Sequence, residues 1–155
     1  KGCEQNADEA LKYMTRGCEL KDPRGCVQAG VLSSTLSIPL EGDRAQHIKN
    51  AMKFLGLACH EHNEENGCFY LASIYMGALK DYVEPNLKEA YKLNFKSCEM
   101  GNPYACANIS QMHARGEGAQ KNEELAKTFK ERALLLYEEV AKAQKTLEFQ
   151  QGVPT

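Results

Sequence analysis

The sequence has no tryptophan, and none of its apolar runs approaches the roughly 18 uncharged residues that a membrane-spanning helix needs. It also lacks an excess of one charge, since 19 Lys and Arg stand against 21 Asp and Glu, giving a formal net charge of -2. A surface for nucleic acid or anionic lipid would therefore gain no net electrostatic attraction. These features exclude a membrane span and argue against nucleic acid as a partner.

The composition is typical of a folded protein that is rich in cysteine. The chain has 155 residues, 43% of them hydrophobic, and seven cysteines. This is enough for one core or a few stacked repeats, and it excludes wholesale disorder. The chain opens on Lys1, without an apolar signal core or an Arg-rich presequence. We therefore expect residues upstream of it, including further repeats, to be missing.

Three segments of the sequence resemble one another, at residues 10–30, 51–72 and 90–110. In each, an alanine is followed eight residues later by a cysteine, and a second cysteine follows after seven or eight intervening residues. The paired cysteines are Cys18 and Cys26, Cys59 and Cys68, and Cys98 and Cys106. The first cysteines are 41 and 39 residues apart, a period typical of helix-pair repeats.

A fourth copy of the pattern begins at Ala126 but loses its cysteine. Lys127 and Phe129 keep the register, whereas Leu134 stands where the other copies have their first cysteine. Stacked repeats commonly end in an atypical unit that caps the array. The pattern therefore predicts a long capping helix over residues 122–149, whose far end leaves the body of the domain.

Each copy predicts two helices, because polar capping residues precede each run with helical periodicity. We expect the first helices to start at Asn6, Asp43, Asn86 and Asn122. The second helices are predicted to start at Asp22-Pro23, near Asn63 and at Asn102-Pro103, where proline suits the first turn.

No strand pattern appears, so the predicted class is all-α. The chain is predicted to form one domain over residues 1–155, in which antiparallel helix pairs stack as a solenoid. The expected repeat units cover residues 6–36, 43–77 and 86–116, followed by the capping helix.

The paired cysteines predict three disulfides. Eight residues along one continuous helix rise about 12 Å, beyond the roughly 4.4–6.8 Å between Cα atoms that a disulfide allows. Each intervening segment carries turn or cap residues, which would bring its two cysteines face to face across a helix hairpin. The alternative is that the six cysteines are reduced and serve as small buried hydrophobes. Disulfides would indicate an oxidising compartment.

Cys3 stands outside this pattern. It has no partner at the repeat spacing, and we expect it in the loop before the first helix, either free or paired with a residue upstream.

A few other residues suggest chemistry, each with a simpler alternative. Cys59, His60 and His62 are ligand types for zinc or copper, but Cys59 is better used in a disulfide. His113 and Met112 suggest haem or metal binding, although a packed or exposed histidine is the simpler interpretation. No C-x-x-C motif, phosphate-binding loop or nucleophile elbow is present. We therefore predict no catalytic residues, no metal site and no enzyme activity, with a redox-active thiol as the open exception.

The repeat blocks resemble the Sel-1-like repeats of the cysteine-paired kind. The most specific stretches are KSCEMG at residues 96–101 and ACAN at residues 105–108, together with the last helix that lacks cysteine. With these, nearly the whole chain is similar to the family of cytochrome c oxidase assembly factor seven. The resemblance implies a TPR-like helical solenoid of the mitochondrial intermembrane space that assists the biogenesis of respiratory complex IV.

The resulting hypothesis is an interaction scaffold without enzyme activity, which holds a protein client such as a respiratory-complex subunit or another assembly factor. If second helices line the binding face, candidate contact residues are Gln28, Tyr70, Asn108 and Gln111. The alternatives are a thiol-redox or a haem- or metal-handling assembly factor, or a secreted bacterial cysteine-rich repeat protein, which would be extracellular or periplasmic.

Overall fold

In the computed structural model, residues 2–152 are described, and the side chains of residues 2–5 and 149 lie outside that description. This part of the chain forms seven α-helices and no strand, so the predicted all-α class is confirmed. The helices are α1 (Gly2–Glu19), α2 (Pro23–Ser34), α3 (Arg44–Gly56), α4 (Glu65–Ser73), α5 (Leu87–Glu99), α6 (Pro103–Arg115) and α7 (Glu123–Gln150).

Most of the predicted helix starts are set by side-chain caps. The carboxylate of Asp22 accepts a hydrogen bond from the Arg24 amide at 3.1 Å, and the Asn86 side chain accepts one from the Glu89 amide at 3.1 Å. Asn102 caps α6 in the same way. These bonds satisfy amides that have no partner within the first helical turn. Asp43 stands at the start of α3 without a capping bond.

One predicted start is wrong. The first helix begins at Gly2 rather than Asn6, because residues 4 and 5 are glutamate and glutamine, which favour helix, and one asparagine is not enough to stop it. Cys3 is therefore within α1 and not in a preceding loop, and its side chain is outside the description. Helix α4 begins at Glu65, close to the predicted start near Asn63, which lies outside the helix with a left-handed backbone of φ 50°.

Two π-helical turns extend the helices of the second pair. Leu57–Glu61 continues α3, and Ile74–Ala78 continues α4. Such turns place more residues in a turn than an α-helix does. The first of them contains Cys59 and accommodates the one extra residue that separates this cysteine from Cys68.

The helices pack against one another in sequence order, and their main core lies between the second and third pairs. Ile48, Leu55 and Leu93 are almost fully buried there. A Cβ placed on Gly30 would lie 2.5 Å from Cγ of Leu55, so only glycine allows α2 to approach α3 this closely. A small residue in the second helix thus lets the neighbouring helix pack tightly.

The last helix, α7, caps the array and then leaves it. Phe129 and Ala133 are buried against the third helix pair, whereas residues 137–147 are all exposed. Its bounds, Glu123–Gln150, agree with the predicted capping helix to within one residue. Among residues 2–152, no helix has the length and apolar character required to cross a membrane.

Candidate partner-binding surface

Three disulfides hold the helix pairs together. Cys18 is bonded to Cys26, Cys59 to Cys68 and Cys98 to Cys106, each with an S–S distance of 2.06 Å. They join α1 to α2, the π-helical turn after α3 to α4, and α5 to α6. All six side chains are at most 6% exposed. Because thiol exchange needs access to a sulfur atom, these bonds are placed to fix the geometry of the helices.

Four aromatic side chains form a connected row on the second helices and α7. The ring centroids of Tyr70 and Phe69 are 5.5 Å apart, those of Phe69 and Tyr104 6.0 Å, and those of Tyr104 and Tyr137 5.2 Å. The three tyrosines are exposed by 39%, 55% and 37% in chain order. We call these four side chains the aromatic row. It links α4, α6 and α7, so a partner that binds it spans the last two helix pairs.

A groove of about 390 Å³ lies at the Tyr70 end of the row, and we call it the N-terminal groove. It lies between α2 and α4, and Met14 of α1 and Ile38 of the following loop complete it. Its lining is mainly apolar, with the Gln28 and Asn66 amides as polar groups. An apolar groove with a few amides is the kind of surface that takes up apolar side chains and orients them through hydrogen bonds.

A second groove, of about 640 Å³, lies at the Tyr137 end between α6 and α7, and we call it the C-terminal groove. Small side chains of α6 form one wall, including Ala107, Ser110 and Ala114. The other wall belongs to α7 and includes Lys127, Lys130, Ala133, Leu134 and Tyr137. This groove is therefore apolar with a positive edge.

The predicted contact residues are not gathered in one place. Gln28 and Tyr70 line the N-terminal groove, and Gln111 lines the C-terminal groove. Asn108 lines neither of them, because its side-chain amide donates a hydrogen bond to Oδ1 of Asn94 at 3.1 Å. Sequence reasoning missed Tyr104 and Tyr137. Both tyrosines are exposed because of the faces of α6 and α7 on which they lie. The pattern of buried cysteines alone does not predict which faces these are.

His113 is held inside the third helix pair. Its Nδ1 lies 3.0 Å from the Gln120 carbonyl oxygen and its Nε2 lies 2.8 Å from the Tyr91 hydroxyl. Because a carbonyl only accepts, Nδ1 carries the hydrogen and Nε2 accepts from the phenol. Burial raises the pKa of Tyr91 further above neutral pH than that of an ordinary phenol, so the hydroxyl is protonated and can donate. A metal or haem iron would have to displace one of these two bonds.

Replacing Tyr91 by phenylalanine tests this arrangement. The change leaves Nε2 of a buried histidine without its donor, so we expect the free energy of unfolding to fall by about 1–2 kcal/mol. Urea titration followed by circular dichroism measures it. The matched control is Tyr13→Phe, since Tyr13 is 78% exposed and its hydroxyl should contribute nothing. Equal stability of the two variants would contradict the assigned hydrogen bond.

Cys59, His60 and His62, the other residues of metal-ligating type, have different surroundings. The sulfur of Cys59 is in a disulfide, and His60 is exposed at the hairpin. Over residues 2–152, with the undescribed side chains set aside, no group of three or more His, Cys, Asp or Glu side chains is placed to hold a metal ion. The arrangement thus offers no thiolate to a metal beside His60 and His62.

Comparison with known proteins places the chain in a family. It is 33% identical to the cytochrome c oxidase assembly factor 7 homolog of Drosophila melanogaster, in an alignment covering 98% of this chain and 67% of that protein. The chain belongs to the cytochrome c oxidase assembly factor 7 family. The Xenopus tropicalis and Xenopus laevis members are 29% and 31% identical over 79% of the chain, which spans about half of their length, 51% in each case.

Solved structures agree with this family's expected fold. Helicobacter pylori cysteine rich protein B matches with a TM-score of 0.62 and 28% identity, over 86% of this chain and 90% of that one. A Sel1 repeat protein from Oxalobacter formigenes matches with a TM-score of 0.69 and 18% identity, over 84% of this chain and 50% of that one. The Sel-1-like solenoid is therefore confirmed. A scan against models of protein families finds no match.

Proposed function

We propose that the chain is a non-enzymatic scaffold that holds a protein client during the assembly of cytochrome c oxidase, respiratory complex IV. The fly and frog relatives are named as cytochrome c oxidase assembly factors, which supports a role in that assembly process. The observation that carries the scaffold role is the aromatic row, which exposes three tyrosines between two apolar grooves.

The chemistry of this surface suits protein binding. Tyrosine offers a large apolar ring with a hydroxyl for hydrogen bonding, and it is enriched among the residues that dominate interface energies. Gln28 and Gln111 place exposed amides at the two grooves, where they can pair with main-chain groups of a client. Stacked repeats spread such contacts over an extended face. Tyr70, Tyr104 and Tyr137 are therefore the proposed centre of the interface.

The proposed compartment is the mitochondrial intermembrane space. Three buried disulfides require an oxidising environment during folding, which the cytosol does not provide. A respiratory assembly factor with such bonds fits that space. The same burial supports a scaffold over a thiol-cycling enzyme, because the sulfur atoms are covered by packed side chains.

Loss of the aromatic row tests the function. In the full-length protein, Tyr70→Ser combined with Tyr104→Ser should reduce co-purification of newly made complex IV subunits at least about tenfold, since each exposed hot-spot aromatic contributes at least about 1 kcal/mol. The complex IV level in cells that carry only this variant should fall accordingly.

The control is Tyr13→Ser combined with Tyr82→Ser, two exposed tyrosines outside the row. Thermal unfolding of both double variants should match the parent protein. If the row variant is folded and still restores complex IV to the control level, the proposed scaffold surface is wrong.

A further inference from the structure

The C-terminal groove occupies the position at which a second helix packs in each earlier pair. Repeat register aligns Leu134 of α7 with Cys59 and Cys98. Those two side chains are 0% and 2% exposed because α4 and α6 cover them, whereas Leu134 is 53% exposed. Within residues 2–152, no helix takes the corresponding place beside α7.

We propose that the C-terminal groove binds one amphipathic helix from a partner protein, antiparallel to α7, in the way that α6 lies on α5. The proposal rests on the proposed scaffold function in one respect, since that function makes a partner protein the source of the helix. Helix α4 shows the same arrangement within this chain. It packs against α3, the first helix of its pair, and also contacts α2, the second helix of the preceding pair. A helix in the groove would touch α7 and α6 in the same manner.

The register of this guest helix follows from the third pair. Cys98 faces Cys106, and Tyr91, seven residues before Cys98, faces His113, seven residues after Cys106. The two helices therefore run antiparallel without a slip. By the same rule, if a guest residue at position c faces Leu134, the guest residue at c+7 faces Lys127.

The lining of the groove sets the chemistry of the guest. Position c meets an exposed leucine and small side chains, so it should be apolar. Position c+7 meets Lys127, and Lys130 lies about one helical turn from Lys127 towards Leu134 on the same wall. An acidic residue is therefore favoured at c+7. The guest's C-terminal end, which carries the negative end of the helix dipole, also lies near these lysines.

The second helices of another copy of this chain do not fit that description. Seven residues after the second cysteine of each pair stand Ser33, Tyr75 and His113, none of which is acidic. The positions equivalent to Lys127 are Leu11, Met52 and Tyr91, so the lysine replaces an apolar or aromatic residue of the earlier repeats. The positive edge therefore favours an acidic helix over the second helices of this chain.

Disulfide tethering on the purified full-length protein tests the groove directly. Leu134→Cys, in a Cys3→Ser background, restores a thiol at the register position of Cys98. The probe is a synthetic peptide with the sequence of residues 102–116 carrying His113→Glu, whose one cysteine, Cys106, would face the new thiol. Mixed-disulfide formation is measured by intact mass against increasing 2-mercaptoethanol, and the same masses show that the native disulfides remain.

The matched control is Leu135→Cys, which is even more exposed but adjoins the groove rather than lining it. We expect Leu134→Cys to retain the peptide at about tenfold higher 2-mercaptoethanol than this control. A companion peptide with His113→Lys should bind about fivefold less well than the glutamate peptide, because it places like charges together.

Equal labelling at positions 134 and 135 would overturn the groove, and equal labelling by the two peptides would overturn its acidic preference. Covalent dimers of Leu134→Cys formed without peptide would assign the groove to a second copy instead. Tyr137 belongs to both surfaces, but the tethering test uses neither Tyr70→Ser nor Tyr104→Ser and does not measure complex IV. The tethering test and the complex IV assay can therefore fail independently.

Discussion

Replacing Cys59 and Cys68 together by alanine is expected to lower the free energy of unfolding by about 2–5 kcal/mol. The disulfide closes a short hairpin in the middle of the chain, so its loss increases the entropy of the unfolded state. Both sulfur atoms also belong to the main core with Leu55 and Leu71, and their removal leaves a cavity. Urea denaturation without reductant, followed by circular dichroism, measures the change.

The matched control is Cys18→Ala combined with Cys26→Ala. This pair closes a hairpin of nearly the same length, but it packs in a smaller cluster with Ala58, Val27 and Phe54. We expect a smaller loss, close to the chain-entropy contribution of about 2.5 kcal/mol. If both double variants unfold at the parent's urea concentration, the disulfides do not stabilise the solenoid as argued.

The second large effect is expected for Gly67→Ala, which should destabilise the protein by about 2 kcal/mol or more. A Cβ at this position would lie 2.7 Å from Cβ of Ala58 and 3.0 Å from the backbone nitrogen of Cys59. The helices of the second pair approach this closely because the disulfide holds them together. Relief of the clash requires the backbone of the hairpin to move, which also strains the packing around Cys68.

Gly56→Ala is the control for this prediction, since a Cβ there meets nothing within 4 Å and the residue has helical dihedral angles. Alanine in a helix is favoured over glycine by up to about 1 kcal/mol, so this variant should be slightly more stable than the parent. The same urea titration compares the two. A Gly67→Ala protein as stable as Gly56→Ala would show that the hairpin is looser than the structure indicates.

The helix pairs could be predicted from the sequence because the signals that mark them are local and recur at a regular period. The cysteine spacing, together with Asp22-Pro23 and Asn102-Pro103, marks where a first helix stops and a second begins. Leu134 in place of a cysteine correctly indicated that the next helix differs from the others. The start of α1 was missed because helix propensity upstream of Asn6 outweighed a single capping residue.

The proposed binding surface was harder to predict from the sequence because it is assembled from distant segments. Tyr70, Tyr104 and Tyr137 come from three helices, and their proximity depends on how the helix pairs rotate as they stack. The role of His113 was also hidden, since one of its hydrogen bonds comes from α5 and the other from the loop before α7. Contacts of this kind cannot be predicted from the spacing of residues within one repeat.

Each of the three helix pairs is joined within itself by a disulfide. Proteolysis of the unreduced full-length protein, followed by mass spectrometry of the linked peptides, tests it most directly. We expect three linked pairs in this region, Cys18 with Cys26, Cys59 with Cys68 and Cys98 with Cys106. A link between cysteines of different pairs, or alkylation of these six residues before reduction, would contradict it.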